Sequence, residues 1–279
     1  MLVKKRNTAS YSLFLTLLTI LFSILLVETA CAQGGVRDFI ITTLYDDYSF
    51  NTDLMKGHGF SCLNRGTEKT VLFDIGSDIV LKNMEELKIS PGSIDVLVVS
   101  HNHPDHIGGM FHFLKKNNNV IMYIPQSFPE FFKNNLKNAG VTYVDIQNPV
   151  KIFENVYSTG EMGTWIRENA LVIRTAKGLV VITGCAHPGI MNMLKKAKEI
   201  FPKEDVYLAM GGFHMPNMDN QTIKEIISRF RKGKVNKVAP CHCTGDLAIS
   251  LFKEEYGDDF ISGGVGKEII IKDAFLKPH

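Results

Sequence analysis

Hydrophobic residues along this chain switch repeatedly between the two-residue period of strands and the wider spacing of amphipathic helices. Short apolar runs rich in Val, Ile, Leu and Phe predict strands at 39–44, 60–63, 70–73, 96–100, 120–124, 141–145, 170–175, 179–183, 206–210 and 235–239. Helical spacing predicts helices over 79–87, 107–115, 128–138, 190–200, 222–230 and 246–254, with Asn220 placed to cap the fifth. Gly, Asn or Pro punctuates most joints. This alternation predicts the α/β class. No linker rich in Pro, Gly or Ser divides the chain, and no repeat is evident at a period of about 20 to 50 residues, so residues 33–279 read as one domain.

The first 32 residues break the pattern. Lys4, Lys5 and Arg6 precede an apolar run over 13–27, followed by small residues at Ala30 and Ala32. That order is a secretory signal, and the run is shorter than the roughly 18 to 20 residues needed to cross a bilayer. The expectation is cleavage after Ala32, with Gln33 first in an exported protein, periplasmic or secreted. A retained leader, or a lipid on Cys31, would instead anchor the chain to a membrane. Glu28 occupies the position three before that cysteine, where a lipidation signal prefers an aliphatic residue.

Charge narrows the choice of partner. The chain carries 31 Lys and Arg against 29 Asp and Glu, and without the leader the two signs balance. A neutral body argues against a nucleic-acid track and leaves a small-molecule substrate as the expected partner. The oligomeric state is not legible. Cys62, Cys185, Cys241 and Cys243 remain after the leader; an exported chain can pair cysteines, but 241 and 243 are too close for an easy mutual bridge. There is no Walker loop, dinucleotide glycine fingerprint or Gly-x-Ser-x-Gly elbow, and Gly263-Gly264-Val265-Gly266 reads as a turn near the final strand.

The strand over 96–100 runs directly into His101-Asn102-His103-Pro104-Asp105-His106. On an extended segment His101 and His103 point to the same side, so both can grip one cation. Pro104 breaks the extension and turns Asp105 and His106 towards a second, while Gly108 and Gly109 allow the following helix to pack closely. Mixed imidazole and carboxylate donors suit zinc, with iron or manganese as alternatives, better than calcium or magnesium.

The motif resembles the H-x-H-x-D-H signature of the metallo-β-lactamase superfamily, and Asp74-Ile75-Gly76 after the strand at 70–73 is similar to the strand end that precedes it there. The later blocks Thr183-Gly184-Cys185-Ala186-His187-Pro188-Gly189, Gly211-Gly212-Phe213-His214 and Pro240-Cys241-His242-Cys243-Thr244-Gly245 resemble the dihydropteroate-synthase-like branch. The resemblance implies an αββα sandwich, two mixed sheets flanked by helices, with one or two zinc ions at one edge. It places His101 and His103 in a first site, Asp105 and His106 in a second, and His242 as the last histidine. The chain departs from the family pattern twice, with Glu161 near the usual third histidine and Cys185 where a bridging Asp is usual. His187 is the favoured replacement ligand over Glu161 and Cys185, and without a bridging carboxylate both one-metal and two-metal centres stay open.

Bound cations make hydroxide available near neutral pH, so the expected activity is hydrolysis of an ester, phosphodiester, lactone or amide. Asp105 would orient the nucleophile, and His214, read as a substrate contact or proton donor, or a metal-bound water would protonate the leaving group. The branch also implies a transferase joining a pterin to an aminobenzene derivative, which the leader argues against because such substrates are cytosolic. A metal-binding protein that handles sulfur or oxygen is the third alternative. Asp74 is expected to orient a ligating imidazole, His58 to line the pocket or stand in solvent, and Trp165 to cover the site or join the core. His112 and His279 are expected at the surface.

Overall fold

The computed structural model describes residues 36–276, so the leader and His279 lie outside the described residues. Alternation of side chains explains the layers. In β4 (Val96–Val98), Val96 and Val98 face a core between two sheets, whereas Leu97 and the following Val99 face a helical layer. β10 (Gly178–Thr183) repeats this, with Val180 and Ile182 inward and Leu179 and Val181 under helices. Strands buried on both faces need an apolar residue at every position, which is why both read as unbroken runs.

The first sheet has the order β13-β1-β2-β3-β4-β5-β6, with β1 (Val36–Tyr45), β2 (Ser61–Arg65) and β3 (Val71–Phe73) antiparallel and β3 to β6 parallel. Its remaining strands are β5 (Ile121–Pro125), β6 (Thr142–Ile146) and β13 (Glu268–Leu276). The second has the order β12-β11-β10-β9-β8-β7, built from β7 (Val150–Phe153), β8 (Val156–Ser158), β9 (Leu171–Thr175), β10, β11 (Val206–Gly212) and β12 (Val235–Cys241). β7 to β10 run antiparallel and β10 to β12 parallel.

Outside the first sheet pack α1 (Ile79–Glu86), α3 (Met110–Leu114) and α4 (Glu130–Asn138) through Met84, Phe113 and Leu136. Outside the second pack α5 (Ile190–Ile200), α6 (Asn220–Lys232) and α7 (Asp246–Tyr256) through Leu194, Phe230 and Phe252. The result is the expected αββα sandwich of two mixed sheets. No helix among the described residues is long and apolar enough to cross a membrane.

Local differences from the sequence expectation have physical causes. The helix expected over 107–115 is two, α2 (Pro104–Ile107) and α3, joined at Gly108-Gly109. Both glycines have helical angles, and a Cβ on Gly109 would lie 2.6 Å from the Ser77 carbonyl oxygen, so close packing is what selects glycine here. Asp219, not Asn220, caps α6 by accepting from the Thr222 N–H at 2.9 Å. The β7–β8 hairpin was not expected, because its strands are short and β7 is only half-buried.

Trp165 is 94% exposed in the loop before β9, which excludes the core role. As the only tryptophan, it is expected to emit like indole in water and to be quenched fully by iodide. A blue-shifted, shielded emission would contradict this placement.

Candidate metal centre

Strand ends from both sheets deliver the donors. His101 and His103 follow β4, Asp105 and His106 sit on α2, Cys185 and His187 follow β10, and His242 follows β12. They fall into two groups whose ligand atoms lie within 4.8 Å of one another: His101, His103 and His187 in one, and Asp105, His106, Cys185 and His242 in the other. Sequence reasoning set His187 and Cys185 against each other for one place; the structure brings each into a group of its own. Glu161 is elsewhere, accepting from the Ser127 N–H and pairing with Arg167.

The second group has the dimensions of a coordination shell. His106 Nε2 lies 3.2 Å from Cys185 Sγ, and His242 Nε2 lies 3.3 Å from it. Asp105 Oδ2 is 3.3 Å from both imidazole nitrogens. A tetrahedral cation with bonds of about 2.0 to 2.3 Å sets its ligands about 3.3 to 3.7 Å apart, so these residues fit zinc. In the first group His101 Nε2 and His103 Nδ1 are 3.0 Å apart, and the buried His187 Nε2 has no hydrogen-bond partner. A buried polar atom without a partner needs an explanation, and a cation held with His101 and His103 supplies one.

Carboxylates orient these ligands from behind. Asp74 Oδ2 accepts from His106 Nδ1 at 2.7 Å, and Asp47 Oδ1 lies 2.7 Å from His242 Nδ1, so each imidazole keeps Nε2 aimed at the centre. Ser100 Oγ bridges Asp74 to His101 Nδ1, at 2.7 and 2.9 Å. Glu168 is fully buried and accepts four backbone N–H groups, those of Gly184, Cys185 and Ala186 at 3.0 Å and of His187 at 2.8 Å. That cradle fixes the turn carrying two ligands. Asp47 and Glu168 were not singled out from the sequence; their only local signals are an acidic pair directly after β1 and an acidic residue just before β9.

The groups differ in charge. Burial, ahead of neighbouring imidazoles, lowers the pKa values of His101 and His187, the latter to about 4, and burial also lowers His103. Neutral imidazole is the ligating form. Burial works against charge on His106 and His242 too, but Asp74 and Asp105 push His106 up to about 9, and Asp105 and Asp47 push His242 up to about 12. The bonds from those two imidazoles outweigh burial and hold the Asp105 carboxyl far below its usual range.

His214 is exposed, two residues past β11, with its ring 4.4 Å from that of His187. A hydrogen bond with Cys243 raises its pKa. His58 stands at the mouth, bonded to Asp47 at 2.9 Å and 3.6 Å from Asp105. His112 lies on the surface beside Asp78. Cys62, Cys185, Cys241 and Cys243 are all free thiols.

Cation donors gathered at one edge of an αββα sandwich mark metal-dependent chemistry, and the chain belongs to the metallo-β-lactamase superfamily. The family model matches residues 56–168. The chain is 33% identical over 287 residues to 7,8-dihydropterin-6-methyl-4-(β-D-ribofuranosyl)-aminobenzene-5′-phosphate synthase from Methanocaldococcus jannaschii, covering 85% of this chain and 98% of that one. Among solved structures it is similar to Tm1679, described as a metal-dependent hydrolase of the β-lactamase superfamily, at 29% identity and a TM-score of 0.70, covering 83% of this chain and 98% of that one. It also shares its fold with YhfI from Bacillus subtilis, at 15% identity and a TM-score of 0.65, covering 84% and 99% of the two chains. Membership supports an enzyme that works with metal ions.

Replacing Asp47 by Asn keeps the shape but removes the charge behind His242. Zinc titration against a competing chelator is expected to show affinity in the second group reduced about 10- to 100-fold, with the first group retained. Equal loss in both groups would contradict the separation.

Proposed function

We propose that this chain is an exported hydrolase that uses one or two zinc ions to cleave an ester, phosphodiester, lactone or amide. The observation that carries this is the tetrahedral spacing of Asp105, His106, Cys185 and His242, next to a three-imidazole group. Similarity to a metal-dependent hydrolase at 29% identity supports it. Bound cations would lower the pKa of water and polarise the electrophile.

The chain's own residues do the rest. Asp105, whose carboxylate is partly open to solvent, orients the attacking water. His214, on the exposed side of His187, reaches the leaving group and donates a proton to it. Asp74 and Asp47 keep the imidazoles from turning, and the Glu168 cradle keeps Cys185 and His187 in register.

A second reading is favoured by one observation, the 33% identity across 98% of a relative named as a pterin-aminobenzene synthase. On that reading the same centre serves a transfer in which an aminobenzene derivative displaces pyrophosphate from a pterin.

Chelation is expected to abolish cleavage of bis(4-nitrophenyl) phosphate or 4-nitrophenyl acetate, and zinc to restore it. His214→Ala is expected to lower kcat by about 10² to 10⁴, the range for a lost proton donor, with zinc content unchanged. Metal and turnover both surviving His103→Ala would overturn the assignment. Sequencing of the natural protein is expected to start at Gln33; an intact Met1 in a cytosolic fraction, with pterin transfer in place of hydrolysis, would establish the second reading.

A further inference from the structure

His187, His214, Met191, Met215, Met218 and Arg229 all line a cavity of about 230 Å³. Four segments build it: the turn after β10, the start of α5, the loop after β11, and one face of α6. Ile226 and Arg229, three residues apart on α6, both face it. The buried Phe213 forms part of its wall.

Arg65, Arg167, Arg174 and Arg231 each pair with a glutamate, whereas Arg37 and Arg229 have no carboxylate partner among the described residues, and of these two only Arg229 lines this cavity. A guanidinium without a carboxylate partner, lining a cavity with three methionines, offers a bidentate site for a planar carboxylate or for a phosphate. Thioether walls adapt to irregular shapes and make favourable contacts with aromatic rings.

We propose that this cavity is the substrate subsite, taking an aromatic arm that ends in a phosphate or carboxylate bound by Arg229. His187 belongs to the metal centre and the His214 ring lies beside it, so the bond to be cleaved or formed lies next to these two side chains. Its identification as a substrate subsite rests on the catalytic reading above; the binding chemistry does not, and is tested without turnover.

Calorimetric titration of the zinc-loaded protein with phenylphosphonate and with methylphosphonate separates ring from anion. The wild type is expected to bind phenylphosphonate at least about tenfold tighter than methylphosphonate. Arg229→Ala is expected to weaken phenylphosphonate about tenfold and Arg229→Lys by less, with circular dichroism unchanged. Met218→Ala, which removes one thioether from the wall, is expected to reduce the preference for the ring. In the wild type the ε-methyl resonances of Met191, Met215 and Met218 are expected to shift on adding phenylphosphonate. Wild-type affinity in Arg229→Ala, equal affinity for the two phosphonates, or unmoved methionine resonances would each overturn the proposal. Lack of ester or phosphodiester turnover in the wild type would sink only the hydrolase reading, leaving these binding results to stand by themselves.

Discussion

Asp74 sits fully buried at the end of β3, and its two oxygens accept from the Ser100 N–H, the Ser100 hydroxyl and His106 Nδ1, each at 2.7 Å. A buried carboxylate is costly unless fully bonded, so these three partners are held where they are. They come from the end of β4 and from α2. Because β3 and β4 are parallel neighbours, in register from Val71 opposite Val96 to Phe73 opposite Val98, one carboxylate pins both strand ends and the first turn of the following helix. His101, His103, Asp105 and His106 inherit their positions from that lock. A slip of one residue would turn the hydrophobic residues of β4 to the wrong faces and carry the ligand set with them.

Glu168 does the corresponding work on the second sheet, gathering the N–H groups of 184 to 187 around one carboxylate. The two locks touch. A Cβ on Gly184 would stand 2.2 Å from Ser100 Oγ and 3.1 Å from Asp74 Oδ2, so only glycine lets the β10 turn approach the β4 end this closely. That approach sets Cys185 3.2 Å from His106, and it is why two donors far apart in sequence share one cation-sized space.

This arrangement explains what the sequence could and could not show. The run 101–106 was legible because four donors fall within six residues directly after a strand buried on both faces, so spacing alone determines direction. The sandwich was legible because unbroken apolar runs demand cover on both sides. Cys185 and His187 were visible as donors, but their division between two groups depends on how the β10 turn sits against α2, which no spacing encodes. Glu168 acts through backbone N–H groups, and those leave no residue signature. Asp47 reaches His242 across a separation of 195 residues. The β7–β8 hairpin escaped for a different reason, since the four-residue, half-exposed β7, interrupted by Lys151, lacks the apolar run that marks its neighbours.

Backbone strain points to the same edge of the fold. Eight described residues other than glycine have positive φ, and four of them lie just beyond strands at the centre: Asp74 after β3, Ala186 after β10, His214 after β11 and His242 after β12. The other four are scattered, Lys88 and Lys234 past helices, Asn155 in a hairpin and Asp273 within β13. A left-handed residue with a Cβ costs roughly 1 to 2 kcal/mol, so four at one edge would be selected against unless they bring a benefit. A sharp turn of this kind reverses the direction a side chain would take if the strand continued. Without it, Asp74 and His242 would follow the alternation of β3 and β12 into the layers on either side of their sheets. With it, both side chains reach the gap where the two sheets end, and the interior packing of the sandwich holds the strained turns in place. The inference therefore runs from observed strain to function: the fold accepts local cost at the four turns that aim or support the donors.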